Sequence, residues 1–184
     1  MKVIPLANPD VKLLLPKRHG DVRGWFCETW KSATWHDAGI DVVFTQDNEA
    51  FSSERGTVRG LHFQRAPHAQ AKLMRCVNGA IFDVAVDLRA SSPHFGRAVS
   101  ATLTAEGGEQ LFIPEGFAHG YCTLTDHTLV AYKVSGTYEP RTEGGLLWND
   151  PTLAIDWPVG TDGATLKDRD RTWPSLADLG PVFS

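Results

Sequence analysis

The chain has 184 residues, 42% of them hydrophobic and 22% charged, which is enough to bury the core of one globular domain. Its net charge of −4, without a block of lysine or arginine, argues against broad nucleic-acid binding. A few arginines can still hold a small anionic ligand in a protein of this charge.

The N-terminal part of the chain predicts three strands and one helix. The strand patterns cover 11–15, 24–29 and 43–49. A short helix is predicted at 30–38, and Gly39 follows it in the C′ position, which favours glycine.

The central part of the chain predicts eight further short strands, separated by turn residues. Asn78-Gly79 stands between two of them and is the strongest hairpin signal. This spacing of strands is typical of a β-sandwich or barrel. The predicted strands cover 57–64, 70–78, 80–88, 97–104, 109–113, 120–125, 128–135 and 145–149.

The last part of the chain loses the strand pattern. Residues 150–163 are rich in proline and glycine and predict irregular chain, and short helical turns are predicted at 167–170 and 174–179. The whole chain therefore predicts one all-β domain, a closed or double-sheet barrel with a few short helices, mainly near its C-terminus. Such barrels bind small molecules in their mouths or interiors.

One predicted strand carries three polar residues that are candidates for chemistry. Alternation along 57–64 places His62 and Gln64 on one face, and Leu61 on the other. Arg59 falls on the Leu61 side unless Gly60 marks a β-bulge. A histidine here is either a packed residue of the barrel wall or a functional group, and the strand pattern leaves both readings open.

The next two strands bring a lysine and two aspartates into predicted apolar surroundings. Lys72 shares a strand face with Met74 and a cysteine, and a lysine is rarely buried without a partner. Asp83 and Asp87 share the second face of strand 80–88. If that face lines a cavity, Asp83 is a counter-ion for Lys72 or for a histidine; otherwise both aspartates face water.

A second histidine and two tyrosines follow later in the chain. His119 comes after the turn at 114–116, at the start of a predicted strand. Tyr132 lies on an apolar strand face that accepts a phenol whose hydroxyl finds a partner, and Tyr138 follows six residues later. Ordinary packing is the alternative for both tyrosines.

Several common catalytic and cofactor sites are absent from the sequence. His62, His68 and His119 have no H-x-H or H-x-x-x-H spacing, so we expect no metal site. A G-x-S-x-G nucleophile elbow and a Gly-rich dinucleotide loop are also missing. We therefore expect neither serine hydrolase chemistry nor a bound nicotinamide cofactor.

The cysteines and the first residues of the chain bear on its compartment. Cys27, Cys76 and Cys122 are odd in number, far apart and without a C-x-x-C pair, which favours reduced thiols. The N-terminal segment is interrupted by prolines and an aspartate, and no apolar run approaches the length of a membrane span. We therefore expect a cytoplasmic protein that does not bind membranes.

Six segments in order carry a likeness to one enzyme family: GDVRGWFCETW at 20–30, FTQDNEAFSSERGTVRGLHFQ at 44–64, QAKLMRCVNGAIFDVAVDLRASSPHFG at 70–96, LFIPEGFAHGYCTL at 111–124, YKVSGTY at 132–138 and WNDPTLAIDWP at 148–158. Through them the chain resembles dTDP-4-dehydrorhamnose 3,5-epimerases, the cupin-like enzymes of dTDP-rhamnose synthesis. The resemblance runs from about Gly20 to about Asp170 and therefore covers most of the chain.

The resemblance implies a cupin-type double-stranded β-helix, or jelly roll, as a single domain over 1–184. It implies N-terminal strands and a dimer arm in 1–50, a jelly-roll core in 51–149 and an irregular or helical tail in 150–184. It also implies a homodimer that takes a nucleotide-sugar substrate and uses no metal and no cofactor.

The resemblance implies four catalytic residues for a proton transfer next to a C4 ketone. His62 is the implied base, and Asp168 is the carboxylate that orients it. Lys72 stabilises the enolate oxygen, and Tyr132 returns a proton from the opposite face. Because the ketone activates both neighbouring carbons, one base and one acid can serve C3 and C5.

The resemblance also implies a set of residues that bind the substrate. Tyr138 stacks on the nucleobase, while Arg23 and Glu28 serve the site of the neighbouring protomer. The full set is Arg23, Glu28, Gln46, Asn48, Arg59, His119, Tyr138, Glu143 and Lys167.

One segment departs from the family pattern. The family commonly shows YKTTDYY where this chain has YKVSGTY at 132–138, so both tyrosines remain and the middle changes. Because this loop borders the sugar, a single-carbon epimerase and an enzyme for a CDP- or GDP-linked sugar remain alternatives. A non-catalytic cupin or a metal-dependent one is a remoter alternative.

Overall fold

Two antiparallel sheets face each other and form the body of the protein. The computed structural model describes all 184 residues, with thirteen strands and two short α-helices. The strands are β1 Lys2–Ile4, β2 Lys12–Leu15, β3 Arg18–Asp21, β4 Gly24–Cys27, β5 Gln46–Ser52, β6 Val58–Gln64, β7 Lys72–Asn78, β8 Ala80–Asp87, β9 Ala98–Thr104, β10 Gln110–Ile113, β11 Phe117–Thr123, β12 Thr128–Val134 and β13 Glu143–Gly145. The α-helices are α1 Ser32–Asp37 and α2 Leu176–Leu179, and 3₁₀ turns lie at Pro140–Thr142, Pro151–Leu153 and Asp168–Arg171.

The sheet order is that of a jelly-roll barrel. The larger sheet has the order β1-β2-β10-β7-β12-β5, and the smaller one has the order β13-β6-β11-β8-β9. The β3–β4 hairpin forms a separate two-stranded sheet outside both. The predicted all-β fold with few short helices is confirmed.

The core between the sheets is apolar and takes residues from both of them. Alternation places one face of each strand inside, which buries β-branched, aliphatic and aromatic side chains together. This cluster has thirteen buried members: Val11, Met74, Cys76, Ile81, Ala85, Val99, Ala101, Leu103, Leu111, Ile113, Phe117, Tyr121 and Val130.

The C-terminal segment covers the outer face of the smaller sheet. Leu61, Val84 and Val86 point outwards from that sheet and are buried, because side chains such as Trp157 and Phe183 pack on them. The segment predicted as irregular chain is therefore part of the core packing, and its course brings the turn at Asp168–Arg171 back to β6.

Strand boundaries at the edges differ from the predictions. The strand predicted at 43–49 begins and ends later, at Gln46–Ser52, and the one predicted at 145–149 is Glu143–Gly145 instead. Leu146 and Trp148 are buried but do not belong to a strand. Their alternating apolar pattern therefore reflects packing in the core and not hydrogen bonding in a sheet. Two short strands, Lys2–Ile4 and Arg18–Asp21, were not predicted, since neither alternates clearly between polar and apolar residues.

A bulge between β6 and β11 decides where Arg59 lies. His119 is paired with His62 and Tyr121 with Arg59, so the register shifts between these two pairs. The conditional expectation of a bulge at Gly60 is therefore met, and Arg59 lines the same cavity as His62.

Gly60 permits this bulge because no side chain fits there. A Cβ at Gly60 would lie 2.5 Å from the Gly120 Cα and 2.7 Å from the His119 carbonyl oxygen, and its φ of +130° is unfavourable for other residues. We expect Gly60→Ala to lower the free energy of unfolding by about 3 kcal/mol or more, measured by urea denaturation.

The matched control for Gly60→Ala is Gly24→Ala. Gly24 has a φ of +129° but no atom within 4 Å of an added Cβ. It therefore carries the conformational strain alone and should lose only about 1–2 kcal/mol. Equal losses for the two variants would show that the contact between β6 and β11 is not the cause.

Candidate active site

One cavity between the sheets, together with a depression that adjoins it, collects most of the predicted site residues. It has a volume of about 450 Å³ and includes His62 and Arg59 of β6, Lys72 of β7, His119 of β11 and Tyr132 of β12. An adjoining depression of about 310 Å³ shares His62, Lys72 and Tyr132 with it. This depression adds the predicted residues Gln46, Asn48, Tyr138 and Glu143.

His62 is held by a buried carboxylate. The Nε2 atom of His62 lies 2.7 Å from Oδ1 of Asp170, which also accepts a hydrogen bond of 3.3 Å from the Trp173 indole. Burial alone would raise the pKa of Asp170, but the hydrogen bond and charge of His62, with further donors, hold that pKa below its usual value. This pair fixes the imidazole and leaves its other ring nitrogen for a substrate.

The prediction that Asp168 orients the histidine is wrong. Asp168 begins the 3₁₀ turn and is exposed, whereas Asp170, two residues later, is buried against β6. In a turn with three residues per repeat, positions two apart point in different directions. The segment Lys167-Asp168-Arg169-Asp170 contains both carboxylates, and its sequence does not show which one faces the barrel.

Lys72 lies in the cavity without an ion-pair partner. Burial lowers the pKa of its ammonium to about 8, and the negative charges of Asp83 and Glu143 oppose this shift from a distance. A pKa of about 8 keeps most of the group protonated at neutral pH. The cavity therefore presents a positive charge that no carboxylate of the chain neutralises by contact.

His119 and Asp83 form a second buried pair. His119 Nε2 lies 2.6 Å from Asp83 Oδ1, and neither side chain is more than 7% exposed. Burial lowers the pKa of His119, and the positive charges of Lys72 and His62 add to that effect against the opposing charge of Asp83. Of the alternatives left open for Asp83, the structure shows the one in which it pairs with a histidine, through a hydrogen bond to His119.

Asp87 does not face water, contrary to one of the two readings of that strand face. It is completely buried and accepts hydrogen bonds from Asn8, Arg89 and Ser92. Its role is therefore to anchor the loop after β8, away from the cavity.

Tyr132 faces His62 from the other sheet. It belongs to β12 of the larger sheet, whereas His62 belongs to β6 of the smaller one. Burial raises the pKa of the Tyr132 phenol, which keeps it protonated at neutral pH. An imidazole and a protonated phenol thus stand on opposite walls of one cavity.

The mouth of the cavity holds a linked set of polar residues. The Tyr138 hydroxyl donates a hydrogen bond of 2.8 Å to Glu143, and the Arg169 guanidinium binds the same carboxylate. Lys167 lines the cavity beside Arg169. Arg169 was not predicted, and the only signal for it was its position directly after the predicted residues Lys167 and Asp168.

Gln64 holds the loop that carries Tyr138. Its amide nitrogen donates to the carbonyl oxygens of His68 and Thr137, and its amide oxygen accepts from the backbone N–H of Glu139. Buried at the end of β6, Gln64 therefore fixes the chain between two loops at the cavity mouth.

Two predicted substrate-binding residues lie away from this cavity. Arg23 stands at the tip of the β3–β4 hairpin and pairs with Asp21, and Glu28 lies 3.8 Å from Lys31. Both were expected to serve the site of a neighbouring protomer, and that expectation stays a prediction.

The chain contains no group of three or more His, Cys, Asp or Glu side chains arranged to hold a metal ion. None of its helices has the length and apolar character needed to span a bilayer.

Comparison with known proteins gives concordant results over nearly the whole chain. A family model described as dTDP-4-dehydrorhamnose 3,5-epimerase matches residues 5–178. A relative of that name from Sinorhizobium fredii is 47% identical, covering 97% of this chain and 91% of its own. The crystal structure of a dTDP-4-dehydrorhamnose 3,5-epimerase from Bacillus anthracis, with TDP and PPi bound, is 47% identical with a TM-score of 0.92 and covers 95% of this chain and 99% of that chain. A 3,5-epimerase from Legionella pneumophila in complex with dTDP-4-keto-L-rhamnose is 38% identical with a TM-score of 0.91, covering 97% and 94% of the two chains.

Proposed function

The chain belongs to the dTDP-4-dehydrorhamnose 3,5-epimerase family, and from this premise we propose how its cavity converts dTDP-4-dehydro-6-deoxyglucose to dTDP-4-dehydrorhamnose. One observation carries the proposal: His62 with its carboxylate, Lys72 and Tyr132 converge on a single cavity from two opposed sheets. Each of the three groups has a part in moving a proton next to a ketone.

His62 removes the hydrogen from the carbon beside the C4 ketone. Histidine suits this task because its ordinary pKa lies near neutrality. Asp170, at 2.7 Å, fixes the ring and stabilises the imidazolium that forms. The proton acceptor is therefore oriented before the substrate arrives.

Lys72 stabilises the enolate that this step creates. The charge of the enolate develops on the C4 oxygen, and a cation already fixed in the cavity lowers the energy of that charge most. Since no carboxylate contacts Lys72, its ammonium is available to the oxygen. His119, neutral and held by Asp83, lines the same cavity as a further polar contact for the sugar.

Tyr132 returns a proton to the other side of the carbon. Inversion of a stereocentre requires that the new hydrogen arrive from the face opposite to the base, and Tyr132 lies on the opposite wall. Its pKa is raised by burial, so the phenol carries the proton to be delivered. The same pair of groups can treat C3 and C5 in turn, because the ketone activates both.

The nucleotide end of the substrate lies along the cavity mouth in this proposal. Arg59, Lys167 and Arg169 supply positive charge for the diphosphate, and guanidinium groups bind phosphate oxygens with two hydrogen bonds. The Tyr138 ring is half exposed beside them and can stack on the base.

The proposed assembly is a cytoplasmic homodimer. The β3–β4 hairpin exposes Trp25 by 60% and Phe26 by 66%, and Val22 at its tip is fully exposed. A hairpin that exposes three large apolar side chains is a suitable arm for contact with a partner. In a dimer, Arg23 and Glu28 on or beside this hairpin would reach the partner's cavity.

Deuterium exchange tests the proposed reaction. Incubation with dTDP-4-dehydro-6-deoxyglucose in D₂O should place deuterium at both C3 and C5, as read by NMR. Exchange at one carbon only would establish a single-carbon epimerase. Faster exchange with a CDP- or GDP-linked sugar would show that the substrate carries that nucleotide and not dTDP. A substrate that binds without any exchange would remove the catalytic claim.

A further inference from the structure

Tyr121 places a hydroxyl in the cavity wall that has no partner in the protein. The residue belongs to β11 and is only 4% exposed, and its side chain lines the cavity. Its hydroxyl is one of few buried polar side-chain atoms that form no hydrogen bond. Buried polar groups are nearly always hydrogen-bonded, so this exception calls for a cause.

The surroundings of Tyr121 do not supply the missing partner. Burial raises the pKa of the phenol, and the positive charge of Arg59 opposes that shift. The ring of His119 lies beside the Tyr121 ring at 6.3 Å, but its Nε2 is already bound to Asp83. The hydroxyl is therefore a protonated donor that lies in the field of Arg59.

Arg59 locates this donor relative to a bound substrate. Tyr121 and Arg59 are cross-strand partners that line the same cavity, and the Arg59 guanidinium is fixed by Ser52 and by the Phe51 carbonyl oxygen. An anion held by Arg59 would thus lie next to Tyr121. Tyr132 lines the same cavity as Tyr121 and Arg59, so an anion at Arg59 and a sugar near Tyr132 would both lie close to Tyr121.

We propose that Tyr121 is a substrate-positioning residue, whose hydroxyl donates a hydrogen bond to the phosphate attached to the sugar. The inference rests on the proposed function, since it takes a nucleotide diphosphate sugar as the ligand. If Arg59 binds the diphosphate of such a substrate, the phosphate attached to the sugar lies between Arg59 and the reacting sugar ring. This hydrogen bond gives the Tyr121 hydroxyl the acceptor that it lacks in the free enzyme.

The test compares Tyr121→Phe with the wild type, because phenylalanine removes the hydroxyl and keeps the ring. By titration calorimetry, the affinity for dTDP should fall about 10- to 100-fold, as expected for a lost hydrogen bond to a charged group. The affinity for dTMP, which lacks the second phosphate, should stay unchanged. The KM for the sugar nucleotide should rise by the same factor as the dTDP dissociation constant, with a much smaller change in kcat.

Thermal stability separates this role from a structural one. Without ligand, Tyr121→Phe should raise Tm by about 2–5 °C, because a buried hydroxyl without a partner is destabilising. The control is Cys122→Ala, since Cys122 is buried on the other face of β11, away from the cavity. That variant should lower Tm and leave the dTDP affinity unchanged.

Each remaining result counts against the proposal. Unchanged dTDP affinity in Tyr121→Phe overturns it, and an equal loss for dTMP and dTDP places the contact elsewhere. A lower Tm with weaker binding of every nucleotide identifies a packing defect. If the wild type itself fails to exchange deuterium, the proposed function is lost, whereas wild-type exchange with an unaffected Tyr121→Phe refutes only the role of Tyr121.

Discussion

Asp170→Asn should lower kcat for epimerisation by about 10³- to 10⁴-fold, while Asp168→Asn keeps nearly full activity. Asparagine has the shape of aspartate but presents an amide to His62, which disfavours the tautomer that can accept a proton. It also removes the negative charge that stabilises the imidazolium at 2.7 Å. Deuterium incorporation under saturating substrate in D₂O gives kcat for both variants.

The two aspartates make a matched pair for this experiment. They lie two residues apart in the same 3₁₀ turn, but only Asp170 is buried and bound to His62. Nucleotide affinity and Tm of Asp170→Asn should be checked, so that loss of rate is not loss of folding. Comparable activities of the two asparagine variants would show that the buried pair has no part in catalysis.

The sequence was sufficient for the three proposed catalytic residues that lie on regular strands. His62, Lys72 and Tyr132 were assigned to a common site through a resemblance of motifs, and β6, β7 and β12 bring them together. Because side chains alternate between the two faces of a strand, the position of each residue indicated which residues share its face. The side of β6 on which Arg59 lies depended on whether Gly60 marks a bulge, and only the register in the structure decides this.

The sequence was insufficient where the chain leaves regular structure. In the C-terminal turn, Asp168 was predicted to orient His62, but Asp170 does so. A single 3₁₀ turn has no repeating sequence pattern that indicates which of its side chains faces the barrel. Arg169 was missed for the same reason. Tyr121 was missed on a regular strand, since a lack of hydrogen-bond partners depends on groups that are distant in sequence.

Lys72→Met should lower kcat by about 10²- to 10³-fold, because it removes the cation expected at the enolate oxygen and keeps a side chain of similar length. In the wild type, kcat/KM should fall as the pH rises above about 8, where the Lys72 ammonium loses its proton. Methionine has no proton to lose, so this decline should be absent from the residual activity of the variant. Rates measured from pH 6 to pH 10 test both statements.

The lowered pKa of Lys72 also predicts how stability depends on pH. In the unfolded chain this lysine has a pKa of about 10.4, above the value of about 8 that it has in the fold. Between these values the unfolded state binds more protons, so the wild type should gain stability as the pH rises through this window. Lys72→Met should lack that gain.

A lysine on the neighbouring strand is the control for this variant. Lys133 of β12 forms a salt bridge with Asp47 at 2.7 Å and does not line the cavity with Lys72. Lys133→Met removes the same charge from the same sheet, and it should preserve both the rate and the decline above pH 8. If both variants lose activity to the same extent, the effect comes from overall charge, and Lys72 does not stabilise the enolate.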